Sequence, residues 1–208
     1  MDAGRGAVPM VLLGERGSES GAAGTDHVSV ANVAGAAEAT AHLLARGRRR
    51  PAFLGAQPDA PPGTALLRQR GFERALDEAG LPSRPGWLLA TPHYTRRAGA
   101  DAVEAVLARL GEVDAVVCGN DDLALGVMHA FRRNGVRVPD DVAVVGWDNT
   151  EAGRYAAPTL STVAPDLDAL AVLAVDRLIA RVQGDTSAAE HHTIAHRLLV
   201  RESSDVRG

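Results

Sequence analysis

Short apolar segments alternate with amphipathic segments along this chain, and this alternation restricts its fold more than any other feature. The apolar segments have the length of strands: Pro9–Leu13, Ala52–Gly55, Ala115–Cys118 and Val142–Gly146. Between them, helical spacing of apolar residues predicts helices over Val33–Arg46, Ala65–Ala79, Asp122–Arg133 and Asp166–Val182, with Ala157–Val163 as an extended connector. Strands this apolar cannot face water, so the pattern predicts an α/β fold with parallel sheets flanked by helices.

Polar and aromatic residues follow several of these strands at the points where the strands end. In a parallel sheet such ends meet at one edge, and ligands bind beyond that edge. A carboxylate, an amide, a guanidinium and an aromatic ring brought together there predict a binding pocket. The candidate residues for this pocket are Thr64, Arg68, Tyr94, Asn120 and Asp148, with Phe72 and Trp147 as its wall.

Several candidates also have a purely structural interpretation. Arg68 could be a solvated helix residue, and Tyr94 could be an ordinary packing residue. Asn120 is equally consistent with a turn and with a ligand contact, whereas Asp121 is favoured as the cap of the following helix. Asn32 is the expected cap of the first helix. The two aromatic wall residues are of a type usually found in protein cores.

Seven segments of the chain form a recognisable series. They are Pro9–Gly14 (PMVLLG), Val30–Gly47 (VANVAGAAEATAHLLARG), Arg68–Gly80 (RQRGFERALDEAG), Asp114–Gly126 (DAVVCGNDDLALG), Val136–Asn149 (VRVPDDVAVVGWDN), Tyr155–Val163 (YAAPTLSTV) and Leu199–Ser203 (LVRES). In this order they resemble the effector-binding domain of LacI/GalR-type bacterial transcriptional regulators. One segment alone is a weak signal, but seven in register across nearly the whole chain are specific.

The resemblance implies a periplasmic-binding-protein-like fold of class I and an effector, with a sugar as the expected class, bound between two lobes. Arg68 matches the ligand arginine of the family, whose planar fork donates two hydrogen bonds to adjacent hydroxyls. Asp148 matches the carboxylate that accepts from hydroxyls, and Asn120 the amide that both donates and accepts. Tyr94 falls where the family has an aromatic residue against the sugar ring. Such a pocket requires no metal, cofactor or nucleophile.

The same resemblance divides the chain into lobes. Residues 31–163 with 198–203 match a complete C-terminal lobe, whereas residues 1–30 with 166–197 match only part of the N-terminal lobe. No segment resembles the helix-turn-helix headpiece, so we expect an N-terminally truncated or misstarted regulator that meets operator DNA only through a headpiece absent here. The family further implies a homodimer, with repression as the expected mode.

The sequence departs from the family pattern at two places that bear on specificity. Gly14 stands where the first lobe often offers a carboxylate, and Pro62 stands where purine-binding relatives carry a basic group. Specificity for lactose or for purines is therefore not expected to carry over to this chain.

Composition restricts the alternatives. The 22 basic residues are all arginine and are outnumbered by 26 acidic residues, which argues against a broad basic surface for nucleic acid. Cys118 is the single cysteine, so no internal disulfide is possible, and no apolar run approaches the roughly 20 residues of a membrane span. A cytoplasmic protein is expected. His191, His192 and His196 are predicted not to form a metal site, because they fall in a loop and a strand.

Two other functions are less well supported. A solute-binding receptor of a sugar transport system would have the same fold, but it would need an export signal and usually contains more lysine. An enzyme on such a sheet would need a glycine-rich phosphate loop or a catalytic dyad, and the sequence contains neither GxGxxG nor GKS or GKT. Effector sensing without enzymatic activity is therefore the function that the sequence predicts.

Overall fold

The computed structural model describes residues 8–15, 24–82, 84, 86–108 and 111–205, so residues 1–7 and 16–23 of the predicted N-terminal lobe lie outside the described residues. The strands are β1 (Val11–Leu13), β2 (Asp26–Val30), β3 (Pro51–Ala56), β4 (Leu88–Ala90), β5 (Ala115–Cys118), β6 (Ala143–Trp147), β7 (Ser161–Pro165), β8 (His191–Ile194) and β9 (His196–Leu199). The helices are α1 (Asn32–Ala45), α2 (Thr64–Glu78), α3 (Arg96–Leu107), α4 (Asp121–Arg133), α5 (Glu151–Arg154) and α6 (Leu167–Val182). The predicted α/β class is confirmed.

Six strands form a large sheet in the order β4-β3-β5-β6-β7-β9, in which β9 is antiparallel to β7 and the other pairs are parallel. β3, β5 and β6 are buried along their whole length, as expected for apolar strands covered on both faces. Helices α1 and α2 pack on one face around Phe53, and α3 and α4 pack on the other around Phe131. The carboxyl ends of the parallel strands therefore lie along one edge.

Three parallel strands form a small sheet in the order β1-β2-β8. Val28 of β2 packs against Ala174 of α6. Asp26, at the start of β2, is completely buried, and its carboxylate accepts hydrogen bonds from Arg177 and Arg181 of the same helix. Ala174 is the one α6 residue that is buried. The large apolar residues that α6 leaves exposed are Leu167, Val172, Val175, Leu178, Ile179 and Val182.

The chain passes between the two sheets at three places, which lie at Ala31, Asp166 and Ala195. The Asp166 N–H donates to the Ala195 carbonyl at 3.0 Å, so two of the passages run side by side. β9 begins at His196, earlier than the predicted return to the large sheet at residue 198, because His196 and Arg197 pair with the end of β7.

Candidate ligand-binding site

Arg68 is the buried centre of the candidate site. Helix α2 begins at Thr64, beyond the end of β3, and Arg68 lies about one turn further on with 7% of its surface exposed. Its Nε donates to Asn32 Oδ1 at 2.8 Å, and its Nη1 donates to the Gly119 carbonyl. The guanidinium also stacks on Trp147, with Cζ 4.0 Å from the ring centroid. Burial lowers the pKa of Arg68 to about 10, which leaves the side chain charged at neutral pH.

Asp148 approaches the same place from the end of β6. It is exposed to solvent at the edge of the sheet, and its φ of 110° lies in a region that residues other than glycine rarely adopt. Partial burial of its carboxyl raises the pKa to about 6, and the positive charge of Arg68 acts in the opposite direction. The negative charge of Asp148 likewise opposes the lowering of the Arg68 pKa. Because the Arg68 guanidinium stacks on Trp147, the residue directly before Asp148, the two charged candidates are close neighbours.

Asn120 follows β5 and caps α4. Its Oδ1 accepts a hydrogen bond from the Leu123 N–H at 2.9 Å, and its Nδ2 lies 3.4 Å from the Tyr94 carbonyl oxygen. The prediction that Asp121 caps this helix is wrong, because Asn120 has the extended backbone of a cap and Asp121 is the first helical residue. The cap bond uses the side-chain oxygen of Asn120, and the Tyr94 contact uses its amide nitrogen. Asn120 therefore has less hydrogen-bonding capacity left for a ligand than a surface asparagine has.

Tyr94 lies in the loop after β4, and its half-buried ring covers the end of β5. Its hydroxyl donates to the Gly55 carbonyl at 2.7 Å, and burial raises its pKa to about 12. The ring fits there because residue 119 is glycine, since a Cβ on Gly119 would lie 2.6 Å from Tyr94 Cζ. Tyr94 therefore presents an aromatic surface held in a fixed position beside Asn120.

Asp121 is completely buried and joins β7 to the turn after β6. Its Oδ2 accepts from the Thr150 N–H at 2.7 Å and from Thr150 Oγ1 at 3.0 Å, and its Oδ1 accepts from Thr162 Oγ1 at 2.7 Å. Burial raises the pKa of Asp121, while these hydrogen bonds lower it. The sequence pattern predicts a helix cap at Asp121, whereas the Asp121 carboxylate belongs to this buried network.

The remaining three candidates lie at different depths. Thr64 is half-buried at the first position of α2. Trp147 is 2% exposed beneath Arg68, and its Nε1–H has no hydrogen-bond partner among the described residues. Phe72 has no exposed surface, because its ring packs against Phe53 with the centroids 5.8 Å apart. Phe72 therefore lies behind the site. The prediction that it forms part of the pocket wall is wrong, because its ring is completely buried.

Asn32 and Glu15 also belong to the candidate site, although neither is among the residues that the sequence predicts for it. Asn32 makes no cap bond at the start of α1; instead its Oδ1 accepts from Arg68 and its Nδ2 donates to Glu15 Oε1 at 3.2 Å. Glu15 follows β1 of the small sheet. It therefore supplies a carboxylate one residue after Gly14, the position at which related proteins often have one. Both residues follow strand ends, and the rule applied to the large sheet would have found them.

The described residues contain no group of three or more His, Cys, Asp or Glu side chains arranged to hold a metal ion. His191 lies on β8, where its ring stacks on His27 with the centroids 4.5 Å apart, whereas His196 lies on β9 and contacts Glu38 at 2.8 Å. Within the part of the chain that the structure describes, no helix is long and apolar enough to cross a membrane.

Comparison with known proteins supports the observed fold. Residues 40–204 match the family described as periplasmic binding protein-like domain. The chain is 34% identical over 198 residues to the HTH-type transcriptional regulator GntR of Pseudomonas aeruginosa, covering 95% of this chain and 56% of that protein. It is 36% identical to the solved structure of a LacI-type transcription regulator from Bifidobacterium animalis, with a TM-score of 0.85 over 94% of this chain and 71% of the other. The chain belongs to the LacI family.

This LacI-family chain is also similar to a solved complex of the transcriptional regulator CelR with cellobiose, with 28% identity and a TM-score of 0.84 over 93% of this chain and 58% of the other. The chain spans about half the length of the curated relatives it matches. The expected relationship to the effector-binding domain of LacI-type regulators is confirmed, as is the periplasmic-binding-protein-like fold.

Proposed function

We propose that this chain is the effector-sensing domain of a LacI-type DNA-binding repressor, and that it binds an uncharged sugar between the ends of its two sheets. The observation that carries this proposal is the convergence of Arg68 and Asp148, which come from different strand–helix units onto one edge of the large sheet. A buried guanidinium held beside an exposed carboxylate offers donors and acceptors to the same ligand.

The chemistry of these groups suits neighbouring hydroxyls. A sugar hydroxyl both donates and accepts, so one hydroxyl can accept from Arg68 while another donates to Asp148. Nε and Nη1 of Arg68 are bound to protein oxygens, and among the described residues none accepts a hydrogen bond from Nη2. Tyr94 and Asn120, which lie side by side, would complete the rim.

The two sheets would act as the two lobes, divided at the passages at Ala31, Asp166 and Ala195. Glu15 would then face the ligand from the small-sheet side, since Asn32 already joins it to Arg68. A ligand held by both sheets favours the closed arrangement, and it shifts the equilibrium only by its difference in affinity for the two arrangements. This change would be transmitted to a DNA-binding headpiece and a second protomer, in the cytoplasm where such regulators meet DNA.

Calorimetry with neutral sugars, including cellobiose and ribose, tests the proposal. We expect at least one sugar to bind, and to stabilise the chain by about 2.7 kcal/mol at a concentration one hundred times its Kd. Asp148→Asn should remove that binding, because the amide group replaces an acceptor oxygen with a donor. Asp101→Asn is the matched control, since Asp101 is 72% exposed on α3 and pairs only with Arg97 among the described residues. Unchanged binding in Asp148→Asn would refute the site.

A further inference from the structure

The turn at residues 148–150 has an unusual backbone. Asp148 and Asn149 are consecutive residues with positive φ, of 110° and 55°, and they are the two described residues other than glycine with this conformation. Residues with a Cβ rarely adopt such angles, because the side chain crowds the following carbonyl group. Two in succession persist only where the surrounding structure holds them.

The inner side of this turn is held by Asp121. Its carboxylate binds the backbone N–H and the hydroxyl of Thr150, and it also accepts from Thr162 Oγ1. Thr162 Oγ1 in turn accepts from the Asn149 N–H at 3.2 Å. Asp121 therefore fixes the backbone of the turn on both sides of the Asn149–Thr150 peptide.

The outer side is held by Arg201, which belongs to the Leu199–Ser203 segment that the proposed function leaves without a role. Its Nη2 donates to Asn149 Oδ1 at 2.7 Å, and its Nη1 donates to the Leu160 carbonyl at 2.7 Å. Arg154 Nε makes a longer bond of 3.3 Å to the same Asn149 oxygen, so the Arg201 bond is the shorter of the two. Because the guanidinium is planar, these two bonds fix its orientation. The Arg201 N–H also donates to Ser161 Oγ at 2.7 Å, which attaches the segment to β7.

The side chains of the turn divide into two groups. The Asn149 side chain accepts hydrogen bonds from Arg201 and Arg154, and the Thr150 hydroxyl donates to Asp121. The Asp148 carboxylate, in contrast, accepts no hydrogen bond from any described residue. That carboxylate lies near Arg68 and remains available to another molecule. The contacts therefore keep the turn in place without occupying the group that the site would present.

We propose that Arg201 is a positioning residue for effector recognition, because its hold on Asn149 keeps the turn at residues 148–150 in the conformation that presents the Asp148 carboxylate beside Arg68. This inference rests on the proposed function for its biological meaning, but the hold itself is independent of any ligand. Through the bond from Arg201 to Asn149, the Leu199–Ser203 segment thus contributes to the specificity of the site.

The first test needs no ligand. Backbone ¹⁵N relaxation is measured on the full chain, on Arg201→Gln and on Arg201→Lys, with Arg46→Gln as a matched control. Arg46 contacts Asp205 near the same end of the chain but does not reach the turn. We expect order parameters for residues 148–150 to fall from about 0.85 to below about 0.6 in Arg201→Gln, with Arg201→Lys between the two. Amides of Thr162 and Leu198 should stay rigid, whereas a general structural role would loosen them equally.

The second test measures the Kd for cellobiose. Arg201→Gln should weaken binding about tenfold, which corresponds to roughly 1.4 kcal/mol, while Arg46→Gln should leave it unchanged. Order parameters for residues 148–150 like those of the unaltered chain in Arg201→Gln, or an equal fall in Arg46→Gln, would overturn the inference. If cellobiose fails to bind the unaltered chain, the proposed sugar has failed, and the relaxation comparison still decides whether Arg201 holds the turn.

Discussion

The guanidinium of Arg68 lies over the indole ring of Trp147, with 4.0 Å between Cζ and the ring centroid. A buried cation is expensive unless nearby groups replace its hydration. Here the π face of Trp147, Asn32 Oδ1, the Gly119 carbonyl and the charge of Asp148 do so together. Arg68 therefore stabilises the edge of the sheet in addition to the ligand role that we propose for it.

Arg68→Lys should destabilise the chain by about 1–3 kcal/mol, because an ammonium group cannot stack on the indole and donate to two fixed acceptors in the same geometry. Urea unfolding followed by circular dichroism measures this loss. Arg70→Lys, at an exposed position of the same helix, is the control and should change stability by less than about 0.5 kcal/mol. Equal effects at the two positions would show that the Arg68 contacts contribute nothing specific.

Trp147→Phe should lower the free energy of unfolding by about 1–3 kcal/mol, because the smaller ring leaves a cavity at a 2% exposed position and offers less π surface to Arg68. Loss of the Nε1–H itself should add little, because this group has no hydrogen-bond partner among the described residues. Chemical denaturation measures the difference. A loss below about 0.5 kcal/mol would show that the stacking and packing of the indole contribute little to stability.

Asp148→Asn should make the chain more stable at pH 7 while it removes sugar binding. The folded pKa of Asp148 is raised to about 6, so between about pH 4 and 6 the folded state binds more protons than the unfolded state, and the ionised carboxylate opposes folding above that range. Because the residue is exposed, the gain should be at most about 1 kcal/mol, and it should vanish below about pH 4. Thermal melts from pH 3 to 8 measure it.

Asp141→Asn is the matched control for that pH series and should behave in the opposite way. Hydrogen bonds from Arg137 lower the pKa of Asp141 to about 2, so its carboxylate favours folding at neutral pH and the substitution should be destabilising there. The same sign for both substitutions would contradict the assignment of the raised pKa to Asp148.

Asp26→Asn should lower the free energy of unfolding by about 3 kcal/mol. Arg177 and Arg181 would then face a buried neutral amide in place of the carboxylate with which they now pair. The guanidinium hydrogen bonds hold the pKa of Asp26 far below its usual range. The ionised Asp26 carboxylate therefore contributes fully to folding stability above about pH 5. This contribution is lost progressively as the pH falls below the usual pKa range of an aspartate. Unfolding in urea between pH 3 and 7 measures the loss. Asp176 is exposed on α6, so the control substitution Asp176→Asn should barely change the free energy of unfolding.

Much of the fold follows from local pattern. The apolar run Ala115–Cys118 is predicted as a buried strand, and β5 has those bounds. The rule that ligand groups follow strand ends brings Arg68, Tyr94, Asn120 and Asp148 to one edge, because parallel strands place their carboxyl ends together whatever their separation along the chain. The ligand roles assigned to these residues stay predictions.

Other features depend on pairing between distant segments and are not visible locally. Two residues with acceptor oxygens follow β5. The hydroxyls of Thr150 and Thr162 determine that Asp121 turns inward while Asn120 caps the helix. Part of the predicted connector Ala157–Val163 is instead β7, since β6 and β9 flank it on both sides. The contact between Arg201 and Asn149 has the same origin, because it requires β9 to return beside β7.

Trp147 also fixes the distance at which α1 packs on the large sheet. A Cβ on Gly35 would lie 2.6 Å from Trp147 Cη2 and 3.0 Å from Val163 Cγ1, so the helix can approach this closely only because residue 35 has no side chain. The two positions should therefore evolve together. Homologues with a smaller aromatic residue at 147 are expected to admit alanine at 35, and those that keep the indole are expected to keep the glycine.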